Sequence, residues 1–234
     1  MTQQGGGHTV KAFDEDVDQL RALISEMGGI AEQAIRESMR CLMQRDLEGA
    51  RRVVEDDRRL DALEAEAERR VVELIALRAP MAGDLREVIA ALKIAGVVER
   101  IGDYAKNIAK RVGALGGNGR IEPLSLLPEM ARIVAEMVCN VLNAFVRRDE
   151  AMAQAVCERD RAVDDFYNSI FRALLTFMME NPQNITEATH LLFVARNLER
   201  IGDHATNVAE MVHFAATGER LGDRRKGIDP VAPR

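Results

Sequence analysis

The sequence predicts an all-α protein, built as two tandem homologous three-helix bundles from an internal duplication. Three observations predict it. Of 234 residues, 47% are hydrophobic but only 4% aromatic, with no Trp, and Ala, Leu, Val, Met, Glu and Arg dominate; that composition favours helices. Apolar residues recur at three- and four-residue steps. A nine-residue phrase also occurs twice, as ERIGDYAKN at Glu99–Asn107 and as ERIGDHATN at Glu199–Asn207.

The first helical pattern begins near Asp14, with Val17, Leu20, Ile24, Met27, Ala31 and Ile35 on one face. Gly28-Gly29 lies inside it and marks a kink or close packing. A break follows at Arg45-Asp46. The second helix runs to about Arg78 and carries Leu60, Leu63, Ala67, Val71 and Leu74 on one side. Pro80 and Gly83 end it, and Asp84 is the expected N-cap of the third helix. That helix holds the first phrase and ends near Gly113. The stretch GALGGNGRIEP (Gly113–Pro123) reads as a linker.

The pattern then returns. Glu26-Met27 matches Glu129-Met130, Arg45-Asp46 matches Arg148-Asp149, Asp57 matches Asp160 and Asp61 matches Asp164, all at one spacing. The register slips around Pro80 and Pro182 and is regained where Glu99 matches Glu199. A duplicated three-helix unit accounts for this. The expected division is a first bundle over 10–113, a linker over 114–125, a second bundle over 126–217 and a flexible tail over 218–234.

Net charge is −6, which argues against a general nucleic-acid binder. Cys41, Cys139 and Cys157 are unclustered within helical patterns. They read as small buried apolar residues of a reducing compartment, not as disulfides or zinc ligands. The N-terminus lacks the basic start and apolar run of a signal peptide. No stretch approaches the ~18 apolar residues of a membrane span. A soluble, cytoplasmic protein is expected.

Each half carries two acidic pairs at i, i+4: Asp57/Asp61 with Glu99/Asp103, and Asp160/Asp164 with Glu199/Asp203. On a helix, steps of four drift only about 40°, so each pair shares a face. Like charges at this spacing normally destabilise a helix. If consecutive helices pack antiparallel, four carboxylates meet near one level and suit a hard cation. Asn107 and Asn207 continue the face one turn on, as a further ligand or as a hydrogen-bond partner to one.

The alternative is a solvated acidic face with local ion pairs such as Arg58–Asp61, Arg161–Asp164 and Arg196–Glu199. An isolated D-x-x-x-D favours that alternative. The phrase favours a site, because Gly102 and Gly202 each cost a helix interior roughly 1 kcal/mol relative to Ala. Either a neighbouring helix or an ion approaches the backbone there. Glu187-x-x-His190 and Glu210-x-x-His213 imitate a di-iron motif, but both fall on the last helix, about 35 Å apart at the standard rise. They read as one surface histidine near the helix start and one near its end. There is no P-loop, G-x-S-x-G, H-E-x-x-H or dinucleotide fingerprint.

ERIGDYAKNIA, LERIGDHATNVAE, the segment Met27–Ile35 and LLTFMMENP at Leu174–Pro182 together resemble the PhoU family of bacterial phosphate-transport accessory and regulatory proteins. The resemblance runs from about Val10 to Gly218. It implies a PhoU-like pair of three-helix bundles with multinuclear metal sites on E/D-x-x-x-D motifs. By position these are Asp57, Asp61, Glu99, Asp103, Asp160, Asp164, Glu199 and Asp203, holding Fe, Zn, Mn or Mg. It further implies a homodimeric, non-enzymatic negative regulator of the phosphate-starvation response and of phosphate uptake. Such a protein links the ATPase subunit of a phosphate ABC transporter to a phosphate-sensing histidine kinase, and meets the membrane only through them. The rival readings are a metal-dependent phosphohydrolase and a metal-free helical scaffold.

Overall fold

The structure is a computed structural model that describes residues 6–115 and 125–219. The described residues form six α-helices: α1 (Gly6–Gln44), α2 (Leu47–Arg78), α3 (Ala82–Ala109), α4 (Leu127–Arg147), α5 (Glu150–Glu180) and α6 (Ile185–Thr217). Short 3-10 turns at Val112–Ala114 and Pro182–Asn184 follow α3 and precede α6. Most of the expected linker (114–125) and of the expected flexible tail (218–234) lies outside the described residues.

The two halves repeat their local chemistry. Arg45 and Arg148 both take φ 55 and end a helix. The next residue caps the following helix: Asp46 accepts from the Gly49 N–H at 2.8 Å and Asp149 from the Met152 N–H at 2.9 Å. Such caps satisfy donors a helix start leaves orphaned. Three boundaries differ from the expected ones. α1 begins at Gly6, ahead of the apolar periodicity that marked Asp14. α3 is capped by Met81, without a side-chain bond, and not by Asp84. Asp84 instead lies in the first turn, where the helix dipole favours a carboxylate. The shift arises because Ala79 (φ 45) ends α2 tightly and the chain restarts at once. At its far end α3 stops at Ala109, the chain continuing as the 3-10 turn rather than as helix to Gly113.

Within each half consecutive helices run antiparallel. Arg78 meets Asp16 at 2.9 Å and Arg59 meets Glu26 at 2.6 Å across α1 and α2. Arg159 meets Glu136 at 2.6 Å across α4 and α5. The halves join through α1 on α4 and α3 on α6, and one hydrophobic core runs through both. Both seams are antiparallel. A Cβ on Gly28 would overlap Leu142, while Met39 and Met43 face Pro128 and Ala131. Of the two glycines in α1, Gly28 therefore serves close packing, and Gly29 has nothing within 4 Å. Half-buried Glu87 of α3 pairs with Arg21 of α1 and, at 2.5 Å, with Arg148 beyond α4. α2 and α5 flank this centre.

Cys41 is buried, but Cys139 and Cys157 are only half-buried, and none of the three is in a disulfide. Among the described residues no helix is long and apolar enough to cross a membrane.

Candidate functional site

The site begins at the glycine of each phrase. A Cβ on Gly102 would overlap Leu60 of α2 and lie 3.4 Å from Asp57 Oδ1. A Cβ on Gly202 would lie 3.3 Å from both Asp160 Oδ1 and Val163 Cγ1 of α5. A neighbouring helix therefore fills the space that each glycine opens, and it brings a carboxylate with it. Asp57 is buried at 8% exposure, on a helix otherwise polar on its outer face.

In the first half, α2 brings Asp57 and Asp61 toward Glu99 and Asp103 of α3. Burial, reinforced by the charges of Asp103, Glu64, Asp61 and Asp57, pushes Glu99 up to about 7. Glu64 was not among the residues the motif spacing singled out. It stands three residues after Asp61 on the same face of α2, and Gly96 leaves room for it: a Cβ there would lie 3.1 Å from Glu64 Oε1. Burial, then Glu68 and Asp61, raise its own pKa. The second residue missed is Lys106, one turn beyond Asp103. Its ammonium bridges Asp57 and Asp103. Burial opposes that charge, but the hydrogen bonds to Asp103 and Asp57 outweigh it and hold the pKa above that of an ordinary lysine.

In the second half, α5 and α6 repeat the frame. Burial pushes Glu199 up to about 7, with Arg196 opposing and Asp203 and Asp164 adding to the rise. Arg196 donates to Glu199 Oε1 at 2.7 Å, the one-turn ion pair anticipated from spacing. The other carboxylate oxygen, Oε2, is buried without a hydrogen-bond partner. Thr206 stands where the first half has Lys106, and its hydroxyl donates to the Asp203 carbonyl at 2.7 Å.

At the seam Tyr104 meets His204, with Arg200 above the Tyr104 ring at 5.9 Å. Asn207 Nδ2 lies 3.4 Å from His204 Nδ1, and Asn107 is half-buried on α3. Two further histidines of α6, His190 and His213, are half-buried rather than surface residues. His190 lies 3.2 Å from Arg111, and His213 pairs with Glu150 at 2.7 Å. Each lies on the side of α6 that meets another helix, which a count along one helix does not reveal.

The donor chemistry of both clusters fits a hard cation. In the first, an ammonium already stands between two carboxylates. In the second, a buried carboxylate oxygen lacks a partner. In the present arrangement no three His, Cys, Asp or Glu side chains among the described residues converge on one ion position; Lys106 pairs with Asp57 and Asp103, and Arg196 with Glu199.

The PhoU domain family model matches residues 24–112 and again 127–212. A protein of Zymomonas mobilis named phosphate-specific transport system accessory protein PhoU homolog is 55% identical, over 97% of this chain and 95% of its own. One of the same name from Caulobacter vibrioides is 48% identical, over 96% of this chain and 98% of its own. The crystal structure of PhoU from Pseudomonas aeruginosa superposes with a TM-score of 0.84 at 33% identity, covering 88% of this chain and 100% of that one. PhoU from Streptococcus pneumoniae, described as a phosphate transport system regulatory protein, gives 0.84 at 25% identity, over 89% and 99%. A six-helix backbone shared with solved relatives and a family domain matched once in each half make this chain a member of the PhoU family.

Proposed function

We propose that this chain is an accessory and regulatory protein of phosphate transport, a negative regulator of both the phosphate-starvation response and phosphate uptake. The observation that carries the reading is end-to-end similarity to a relative named for that system, at 55% identity over 97% of the chain. On this reading the protein is not an enzyme but a cytoplasmic, homodimeric adaptor. It joins the ATPase subunit of a phosphate ABC transporter to a phosphate-sensing histidine kinase, and reaches the membrane only through them.

Metal binding is part of the proposal. Asp57, Asp61, Glu99 and Asp103 would hold ions in the first half, with Glu64 beside them, and Asp160, Asp164, Glu199 and Asp203 in the second. Asn107 and Asn207 stand one turn further along. Bound Fe, Zn, Mn or Mg would supply positive charge that relieves repulsion among these neighbouring carboxylates, of which Asp57 is buried while Asp61 and Asp164 are exposed. The chain's own residues do the rest: α2 and α3, like α5 and α6, are fixed against each other through those carboxylates, which shapes a docking surface of helix faces.

The test is to delete the gene and measure alkaline phosphatase activity in phosphate-replete medium. High activity is expected. Activity that stays repressed, with phosphate uptake also unchanged, would remove the proposed role.

A further inference from the structure

The halves place acidic residues at the same four positions but differ at the three that decide how those carboxylates are satisfied. Glu64 of α2 is matched by Tyr167 of α5, Gly96 of α3 by Arg196 of α6, and Lys106 of α3 by Thr206 of α6. The differences are coupled. Gly96 admits the carboxylate of Glu64. Arg196 instead lies 5.7 Å from the centre of the Tyr167 ring and reaches one oxygen of Glu199. Lys106 is 20% exposed and bridges carboxylates from two helices, whereas Arg196 is 46% exposed at the rim.

Resting on the reading of the clusters as metal sites, we propose that Lys106 is a tethered competitor that a metal ion must displace from the first cluster. The two clusters are then inequivalent, because Thr206 presents no ammonium at the matching point of the second. Two charge-assisted hydrogen bonds hold the Lys106 ammonium. One of its partners, Asp57, has a side chain only 7% exposed, so water weakens the attraction little. A divalent ion entering there must break both contacts. The exposed fraction of Lys106 gives its four-carbon stem a way out to solvent. Arg196 touches one oxygen and gives it up with less loss. Glu64 counterbalances the competitor by adding negative charge around the entering ion. Without metal, Lys106 ties α2 to α3 in its place.

The test is a calorimetric titration of metal-stripped full-length protein with Mn2+. It uses a Glu199→Gln/Asp203→Asn background that disables the second cluster. Lys106→Met, which keeps the stem and removes the charge, is expected to bind Mn2+ at least about tenfold more tightly than that background. Unchanged affinity would overturn the competitor role while leaving the metal sites standing. No Mn2+ bound by wild type or any variant would remove the metal reading, and the competitor with it. Because Lys106→Met can unfold a metal-free protein, Lys106→Arg is titrated beside it. That variant keeps the charge and is expected to match the background; a tenfold gain in it would equally overturn the proposal.

Discussion

Tyr104 and His204 stack on each other across the seam between the halves, with ring centroids 5.4 Å apart and planes 23° apart. They are the same position of the repeated phrase, so the pseudo-twofold axis relating the halves passes between them. The α3–α6 contacts agree: Arg86 lies by Gly218 at one end and Arg111 by His190 at the other.

A double-mutant cycle on this pair is the first prediction. Tyr104→Ala and His204→Ala should each destabilise the protein. Their coupling in urea unfolding should be about 0.5–1.5 kcal/mol, the range for stacked rings. A coupling indistinguishable from zero would mean the stack does not hold the seam.

The second prediction concerns pH. Glu99 and Glu199 are raised from 4.5 to about 7 in the folded protein. Between those values the folded chain keeps protons that the unfolded chain releases. The metal-free protein should therefore lose stability as pH rises from about 4.5 to about 7, and level off above. Glu99→Gln with Glu199→Gln should flatten that slope and raise Tm at pH 8. For a chain of this size each kcal/mol recovered is about 2–4 °C. Thermal melts at several pH values check it; a variant slope as steep as the wild type's would refute it.

Glycines give the third. Gly102→Ala forces Leu60, which is 1% exposed, out of its place. It should cost about 1–3 kcal/mol as overpacking. Gly29→Ala meets nothing within 4 Å and should stabilise by up to about 1 kcal/mol through helix propensity. Chemical denaturation of both variants distinguishes contact from propensity.

The fourth is ligand linkage. If the clusters hold metal, divalent ion at about 100 times its Kd should stabilise the native protein by about 2.7 kcal/mol. Asp103→Ala with Asp203→Ala should abolish that gain and, on the proposed adaptor role, weaken docking to a sensor kinase. Partner affinity unchanged in this double variant would sever metal from docking.

The six helices were legible because each carries a long apolar stripe, and the breaks because Arg45-Asp46 recurs as Arg148-Asp149 with the same φ and the same capping bond. What the stripe could not reveal was the partner of each face: α1 packs on α4 and α3 on α6, so the core is continuous. The start of α1 escaped notice because its first turns precede the stripe. Around the clusters, the two carboxylate pairs of each half could be read from i, i+4 spacing, and antiparallel packing brings Asp57 and Asp160 to the phrase glycines. Glu64 and Lys106 sit at i, i+3 from motif members, a spacing so common among charged helical residues that it carries no signal until a second helix stands opposite.

The antiparallel seam has an ancestral implication. A three-helix unit that buries its first and third helices against a partner's first and third helices needs no second kind of subunit. Two copies of the N-terminal half could meet as a symmetric pair, tyrosine upon tyrosine at the axis. Fusion of the duplicated genes would then free each copy to differ, as the halves now do in Tyr104 against His204 at the axis and Lys106 against Thr206 in the clusters. The two sides of the present molecule need no longer answer to the same stimulus.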